Sequence, residues 1–269
     1  MPSLDECWIN LDGFNIRYLE FGKGNEKHLL FIHGLGSAAD RWMKIPEGLS
    51  SEFHSIAIDL PGFGESEKPK KMDYTIDQFR KITVSFLNEI SIQKEKISLI
   101  GHSLGGYIAS EVAIQNQNYI QKLVLIDSSG MLETPTPALE EYFEAAMNPT
   151  QDNVRKAFEK MVADPKRIPK QLVDGFIRRM NLPNAKYAFE STFVKSVTTQ
   201  IGLNRLKKIN PVPTLILWGV HDKVIPIEHS KFFKESIDDS RLEIIADAGH
   251  APFAEKPDQV FKLLNEFLI

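Results

Sequence analysis

The sequence predicts an α/β fold, with a mostly parallel eight-stranded sheet, helices on both faces and an inserted helical cap. Short apolar runs rich in Ile, Leu and Val alternate with amphipathic stretches of helical spacing. Most of these runs lack polar alternation, which is typical of strands buried on both faces of a parallel sheet. Strand and helix in alternation favour right-handed crossovers around one sheet.

The predicted strands begin with an N-terminal hairpin. It joins residues 7–11 to residues 15–21 at the turn Asp12-Gly13. The other apolar runs are LLFIH (29–33), SIAID (55–59), ISLIG (97–101), KLVLID (122–127), TLILWG (214–219) and LEII (242–245). Helical spacing and helix-start residues predict helices over 75–90, 103–116 and 232–237, and from Pro257 onward.

Residues 131–209 interrupt this alternation. They contain six prolines and helical patterns over 139–147, 154–162 and 172–180, but no convincing buried strand. Such a length of helix far exceeds what a crossover between two strands needs. We therefore expect residues 1–130 and 210–269 to form the sheet domain. Residues 131–209 form the helical cap, which is expected to select the substrate without taking part in the chemistry.

Composition limits the class of protein. Hydrophobic residues make up 42% of the 269 residues and charged residues 25%, which excludes a disordered or fibrous chain. The net charge of -4 lacks the basic footprint of nucleic-acid binding. The single cysteine, Cys7, excludes an internal disulfide, and no apolar run approaches the ~20 residues of a membrane span. We expect a cytoplasmic protein with a small-molecule substrate and neither nucleic acid nor membrane as a partner.

The strongest chemical signal is GHSLGG (101–106), which follows a predicted strand and opens a predicted helix. A serine in such a tight turn has strained backbone geometry, and the turn closes only with small neighbours, here Gly101 and Gly105. The helix N-terminus adds backbone donors and a positive dipole end beside the hydroxyl. Ser103 is therefore the predicted nucleophile.

A serine hydroxyl needs a base and an orienting acid before it attacks a substrate. His250 and Asp222 each come shortly after a predicted strand. The order Ser103, Asp222, His250 is the one expected with this type of turn. All three residues fall at carboxyl ends of strands, where ligands bind in open α/β sheets. Asp127, at the end of another predicted strand, is the alternative acid.

These motifs, in this order, resemble the α/β-hydrolase superfamily from near Ile16 to the C-terminus. The matching pieces are HGLGS (33–37), DLPGFGES (59–66), GHSLGG (101–106), WGVHDKVIP (218–226) and AGHAPFAEKP (248–257). The resemblance implies an α/β-hydrolase fold, a triad of Ser103, His250 and Asp222, and no cofactor. The metal-binding spacings CxxC and HExxH are absent from the sequence.

Two backbone N–H groups are expected to hold the oxyanion. One belongs to Leu104, the residue after the nucleophile. The resemblance to the HG-x pattern of the family implies that the other belongs to Leu35, with Gly36 as the alternative. The family uses the histidine of this motif, here His33, to shape the loop.

The nucleophile narrows the reaction. Haloalkane dehalogenases and epoxide hydrolases resemble this chain but carry Asp at the position of Ser103. C–C bond hydrolases also use serine. They typically have further glycines, an Asn and a Trp where this chain has Leu35, His102 and Ala251. The resemblance therefore favours a carboxylesterase-type serine hydrolase acting on a small to medium ester.

Three alternatives stay open. A C–C bond hydrolase of the meta-cleavage type and a lactonase would use the same triad, whereas a receptor-like α/β-hydrolase protein would bind a ligand without turnover. Apolar cap residues are expected to line the substrate pocket, with Phe143, Met147 and Phe176 as candidates. Such a lining suits an acyl or aryl group and has little to hold a charged one. Arg178 or Arg179 facing the nucleophile would instead favour the C–C hydrolase.

An organophosphonate directed at reactive serines should add once to the protein, at Ser103. Because the triad makes this hydroxyl nucleophilic, Ser103→Ala should lower kcat by roughly 10⁶ if the three residues act as a unit. Mass spectrometry of the labelled peptide and turnover of an activated ester measure the two effects. Labelling at another residue, with turnover intact in Ser103→Ala, would contradict the assignment.

Overall fold

A computed structural model of the chain describes residues 4–90, 96–196 and 199–269. The strands are β1 (Leu4–Leu11), β2 (Phe14–Phe21), β3 (Lys27–Ile32), β4 (Phe53–Ile58), β5 (Ile97–His102), β6 (Ile120–Ile126), β7 (Thr214–Gly219) and β8 (Ser240–Ile245). They form one eight-stranded sheet in the order β1-β2-β4-β3-β5-β6-β7-β8. β2 runs antiparallel to β1 and to β4, whereas every other neighbouring pair is parallel. The predicted fold class is confirmed.

Helices cover both faces of the sheet. They are α1 (Lys44–Leu49), α2 (Ile76–Glu89), α3 (Leu104–Gln115), α4 (Pro137–Met147), α5 (Gln151–Met161), α6 (Lys170–Met180), α7 (Ala185–Ser196), α8 (Leu203–Leu206), α9 (His229–Ser236), α10 (Pro252–Glu255) and α11 (Pro257–Leu268). α2, α3 and α9 belong to one apolar cluster through Phe79, Ile108 and Phe233. α1 and α11 belong to a second cluster through Ile45 and Val260. None of the helices within the described ranges is both long and apolar enough to span a lipid bilayer.

The two clusters lie on opposite faces of the sheet, because successive strand residues point to opposite sides. In β3, Leu30 and Ile32 join the first cluster, whereas Leu29 and Phe31 join the second. The central strands β5 and β7 are buried along their whole length. Burial on both faces explains their continuous apolar sequences. The parallel direction of β3, β5, β6, β7 and β8 brings the loops that follow these strands to one edge.

The helical cap (131–209) separates β6 from β7, and its described residues form α4 to α8 with no strand. Thr136 and Thr150 start α4 and α5, since each hydroxyl accepts a hydrogen bond from a backbone N–H in the first turn. α4, α5 and α6 match the three helical patterns of the sequence. α7 has no counterpart among those patterns because its apolar residues do not form one stripe. Aromatic contacts hold it in place, including Phe193 against Phe143 with 4.5 Å between ring centroids.

Candidate active site

Ser103 lies in the tight turn between β5 and α3. Its φ of 52° and ψ of -118° fall outside the regions that L-residues ordinarily occupy. Ser103 N–H donates to Ile126 O of β6 at 3.0 Å, and Ser103 O accepts from Gly106 N–H at 2.9 Å. These bonds to both sides hold the strained turn, which presents the side chain to the cavity that it lines.

Two glycines allow this turn, because it packs closely against neighbouring backbone. A Cβ atom on Gly101 would lie 2.3 Å from Gly105 O, and one on Gly105 would lie 2.1 Å from Ile32 O. Neither backbone oxygen belongs to a flexible side chain that could move away. The glycine spacing of the sequence motif therefore has a steric cause.

His250 and Asp222 form a buried hydrogen-bonded pair. His250 Nδ1 lies 2.8 Å from Asp222 Oδ2, while Asp222 Oδ1 accepts from Val224 N–H at 2.7 Å and Ile225 N–H at 3.0 Å. With the Nδ1 proton directed at the carboxylate, Nε2 is the acceptor nitrogen. His250 and Ser103 line the same cavity. Within the described ranges no hydrogen bond joins the Ser103 hydroxyl to His250, a link that tightens in many enzymes only when substrate binds.

Asp127, the alternative acid, lies beside this pair. Asp127, Asp222 and His250 each have a side-chain atom that could bind a metal ion, and these three atoms lie within 4.8 Å of one another. Asp127 Oδ1 accepts from Gly219 N–H at 2.9 Å, but Oδ2 is buried and has no hydrogen-bond partner in the described part of the chain. Burial, and then the neighbouring Asp222, raise the pKa of Asp127 well above its usual range. Asp127 is thus suited to hold a proton. A cation bound through His250 Nδ1 would have to displace the proton that this nitrogen shares with Asp222.

In the loop after β3, the backbone N–H of Leu35 points out of the loop. Gly34 O accepts from Ser37 N–H at 3.1 Å and lies 2.7 Å from His33 Nδ1. In a trans peptide the N–H points opposite to the C=O, so Leu35 N–H is turned away from these two groups. A Cβ atom on Gly34 would lie 3.1 Å from Ser103 Cβ, so this loop lies directly against Ser103.

The amides of Leu35 and Leu104 are both available to an oxyanion. Neither N–H has an acceptor among the residues that the structure describes. Leu104 begins α3, where first-turn N–H groups have no partner inside the helix. Both residues line a small cavity together with Ser103.

Two further histidines support the loops around the nucleophile. His33 Nε2 accepts from Leu60 N–H at 3.1 Å, so its proton is on Nδ1 and is donated to Gly34 O. Burial lowers the pKa of His33, which favours the neutral ring that this arrangement requires. His102 Nε2 lies 2.6 Å from His250 O, and burial lowers its pKa well below the usual range. A neutral His102 therefore donates to the backbone of the proposed base.

Apolar side chains of α4, α5 and α6 line one part of the cavity in front of Ser103. They are Leu139, Tyr142, Phe158, Met161, Leu172 and Phe176. Of the three residues predicted to bind substrate, Phe176 lines this cavity, whereas Phe143 and Met147 are not among its described lining residues. Successive residues of a helix are about 100° apart around its axis. Tyr142 of α4 faces the cavity, whereas Phe143, one residue further along the helix, points in a different direction and packs on Phe193.

Two arginines, Arg41 and Arg179, also line this cavity. In the described part of the chain no carboxylate pairs with either one, and Arg179 Nε is buried without a hydrogen-bond partner. Burial lowers the pKa of both guanidinium groups. Arg178, the next residue toward the N-terminus, instead forms an ion pair with Glu65. The expectation of a lining with little to hold a charged substrate is therefore wrong.

Sequence reasoning considered Arg179 but missed Arg41. A single arginine in a short turn after the HGLGS loop has no spacing that distinguishes it from a solvated residue. Only the folded structure, in which Arg41 lines the same cavity as residues of the cap, shows that this arginine faces the site.

The fold is that of an alpha/beta hydrolase. The family model described as alpha/beta hydrolase fold matches residues 27–257, and the chain belongs to this family.

Similar proteins include hydrolases with different substrates. The chain is 28% identical over 267 residues to the uncharacterized hydrolase YugF of Bacillus subtilis, covering 97% of this chain and 96% of that protein. It is 28% identical over 274 residues to the 2-hydroxy-6-oxo-6-(2'-aminophenyl)hexa-2,4-dienoic acid hydrolase of Metapseudomonas resinovorans, covering 98% and 90% of the two chains. The crystal structure of a bacterial membrane phospholipase A matches with a TM-score of 0.86 and 27% identity, over 98% of this chain and 86% of that one.

Asp222→Asn should lower kcat by a factor on the order of 10⁴, by analogy with the serine-protease triad, because an amide holds the imidazole in the wrong tautomer. Asp127→Asn should keep kcat close to that of the unaltered protein, since an amide resembles a protonated carboxyl in shape and charge. Steady-state kinetics with an activated ester measure both variants. Normal turnover in Asp222→Asn together with loss in Asp127→Asn would reverse the assignment of the acid.

Gly105→Ala should destabilise the protein by at least about 2 kcal/mol, because the new methyl group would overlap the Ile32 carbonyl. Gly175→Ala, inside α6, is the matched control. Its methyl group would meet only the flexible Arg179 side chain at 3.3 Å, and alanine is the better helix former by up to ~1 kcal/mol. Denaturant unfolding gives both free energies. Equal stability of the two variants would show that the tight turn at Ser103 has room for a side chain at position 105.

Proposed function

We propose that the chain is a serine hydrolase of the carboxylesterase type, which cleaves a small to medium ester through an acyl-enzyme on Ser103. One observation carries the proposal: the buried hydrogen bond between His250 and Asp222 belongs to a histidine that lines the same cavity as Ser103. A nucleophile, an oriented base and a partner for that base thus meet at the carboxyl edge of the sheet. The resemblance of the five motifs supports the same roles.

The proposed reaction has two halves. Ser103 Oγ attacks the acyl carbon while His250 Nε2 takes its proton, and Asp222 stabilises the imidazolium that forms. The amides of Leu35 and Leu104 stabilise the negative charge on the acyl oxygen. His250 then gives the proton to the departing alcohol. A water molecule deprotonated by His250 attacks the acyl-enzyme, and His250 returns the proton to Ser103 Oγ as the bond to the acyl carbon breaks and the carboxylic acid leaves.

Arg41 and Arg179, which pair with no carboxylate among the described residues, favour a substrate that carries a carboxylate as well as the ester. A partly buried charge without a partner is unfavourable, and a bound ligand of opposite charge reduces the penalty. Guanidinium groups bind carboxylates through paired, charge-assisted hydrogen bonds. Arg41 reaches the cavity from the sheet domain and Arg179 from the helical cap. We expect the acidic group of the substrate to contact these two residues while its acyl carbon lies at Ser103.

A C–C bond hydrolase acting on a dienone acid is the second candidate. The specific observation that favours it is that Arg179, an arginine of the cap, lines the cavity. In C–C bond hydrolases, cap arginines bind the substrate carboxylate. The similar protein of Metapseudomonas resinovorans is named for a hexa-2,4-dienoic acid substrate. The ester is placed first because Leu35, His102 and Ala251 stand where C–C hydrolases typically have other residues.

Two neighbouring arginines allow a matched test of the acidic substrate. Arg179→Met should lower kcat/KM for the 4-nitrophenyl monoester of a short dicarboxylic acid by roughly 10- to 100-fold, since a hydrogen bond to a charged group contributes ~1.5–3 kcal/mol. The uncharged 4-nitrophenyl ester of equal length should change little. Arg178→Met removes the arginine that pairs with Glu65 and should leave both substrates unaffected.

A dienone acid of the meta-cleavage type completes the substrate panel. A higher kcat/KM for the dienone acid than for any ester would make C–C hydrolysis the function. An equal loss on charged and uncharged esters in Arg179→Met would contradict carboxylate recognition. If no substrate turns over and the phosphonate does not label Ser103, the function would be ligand binding without hydrolysis.

A further inference from the structure

Hydrogen bonds join the helical cap to the loop that carries His250. His250 N–H donates to Met161 O at 2.7 Å, and Ala163 N–H donates to Glu255 Oε2 at 2.8 Å. The other oxygen, Glu255 Oε1, accepts from Gly249 N–H at 2.9 Å. Glu255 therefore connects the cap backbone to the residue directly before the histidine. A carboxylate that accepts from backbone N–H groups forms strong, directional bonds.

A second connection reaches the loop on the other side of the nucleophile. Tyr142 Oη donates to Leu35 O at 2.9 Å, and a Cβ atom on Gly36 would lie only 2.6 Å from the same hydroxyl. The carbonyl before Leu35, that of Gly34, is held within its own loop. Both peptide planes that flank the Leu35 Cα are thus fixed, one by its own loop and one by the cap. The direction of Leu35 N–H depends on both.

We propose that Tyr142 and Glu255 are positioning residues, through which the helical cap orients the oxyanion amide of Leu35 and the base His250. The inference rests on the proposed function, because it assigns the purpose of these contacts from the roles of Leu35 and His250. It extends the role expected for the cap, which was selection of the substrate alone. In this proposal the cap completes the hydrolytic site as well as covering it.

Other bonds between the cap and the sheet domain lie away from these loops and supply matched controls. Tyr187 Oη of α7 donates to Lys70 O at 3.1 Å, and Arg178 of α6 forms an ion pair with Glu65. Tyr187 matches Tyr142, because each donates a hydroxyl proton to a backbone carbonyl. Glu65 matches Glu255, because each is a glutamate of the sheet domain that binds a group of the cap. Neither Tyr187 nor Glu65 is among the described residues that line the cavity.

The first test compares Tyr142→Phe with Tyr187→Phe, each of which removes one hydroxyl. Tyr142→Phe should lower kcat about tenfold, less than the 10²–10³ that follows from removing an oxyanion donor outright, with KM nearly unchanged. The maximal rate of Ser103 phosphonylation should fall by a similar factor, because it depends on the same oxyanion stabilisation. Tyr187→Phe should leave all of these values unchanged.

The second test compares Glu255→Gln with Glu65→Gln. Glu255→Gln should lower kcat and the maximal phosphonylation rate together, because one amide of the histidine loop or of the cap loses its acceptor. Glu65→Gln should leave both rates unchanged. Thermal unfolding of each variant identifies one that fails to fold, in which case Tyr142→Phe, the smallest change, decides the proposal.

The outcomes separate the two proposals. If the unaltered protein labels at Ser103 but Tyr142→Phe and Glu255→Gln match their controls, the positioning role is wrong and the proposed hydrolase stands. A higher KM with unchanged kcat would also overturn positioning, since the cap would then contribute to binding alone. If the unaltered protein neither labels at Ser103 nor turns over an ester, the proposed function itself fails.

Discussion

The strained turn at Ser103 is the constraint on which the rest of the site depends. A serine at positive φ is stable here because its N–H bonds to β6 and its carbonyl bonds to the first turn of α3. The turn packs so closely on β3 that Gly105 can carry no side chain. Since β3, β5 and β6 run parallel, this close packing brings the loop with Leu35 against Ser103. The amides proposed to hold the oxyanion and the Ser103 hydroxyl therefore share one edge of the sheet.

Burial gives chemically identical side chains different properties around this turn. Asp222 accepts three hydrogen bonds from N–H groups, one of them from His250, whereas Asp127 accepts one. Within the described ranges its other oxygen is buried without a partner, and burial raises the pKa of Asp127. The arginines divide in the same way: Arg178 meets Glu65 at the surface, while Arg179 lines the cavity and pairs with no carboxylate among the described residues. Which residue of each pair is available for chemistry depends on its partners and not on its type.

The helical cap has two kinds of contact with the sheet domain. Its apolar side chains line the cavity at Ser103. In the proposed hydrolase they would exclude water from the place where negative charge develops. Its backbone at Met161 and Ala163 and the hydroxyl of Tyr142 bond to the loops on either side of the nucleophile. A change in the cap is thus expected to affect both substrate choice and the rate of the chemical step.

The sequence by itself determined the strands and the identity of the motifs at their ends, because buried parallel strands and a glycine-lined turn have local patterns. It also predicted that Ser103, Asp222 and His250 lie at one edge, because each of them follows a predicted strand of the parallel sheet. Only the tertiary structure decided which cap residues face the cavity, since Tyr142 and Phe143 differ by one position on a helix whose rotation is set by packing. Only the tertiary structure also showed which side chains from distant parts of the chain meet at the cavity, because no local sequence pattern encodes such contacts. Whether a charged group finds a partner depends on residues far away in the chain, and that was decided by the packing of the cap on the sheet.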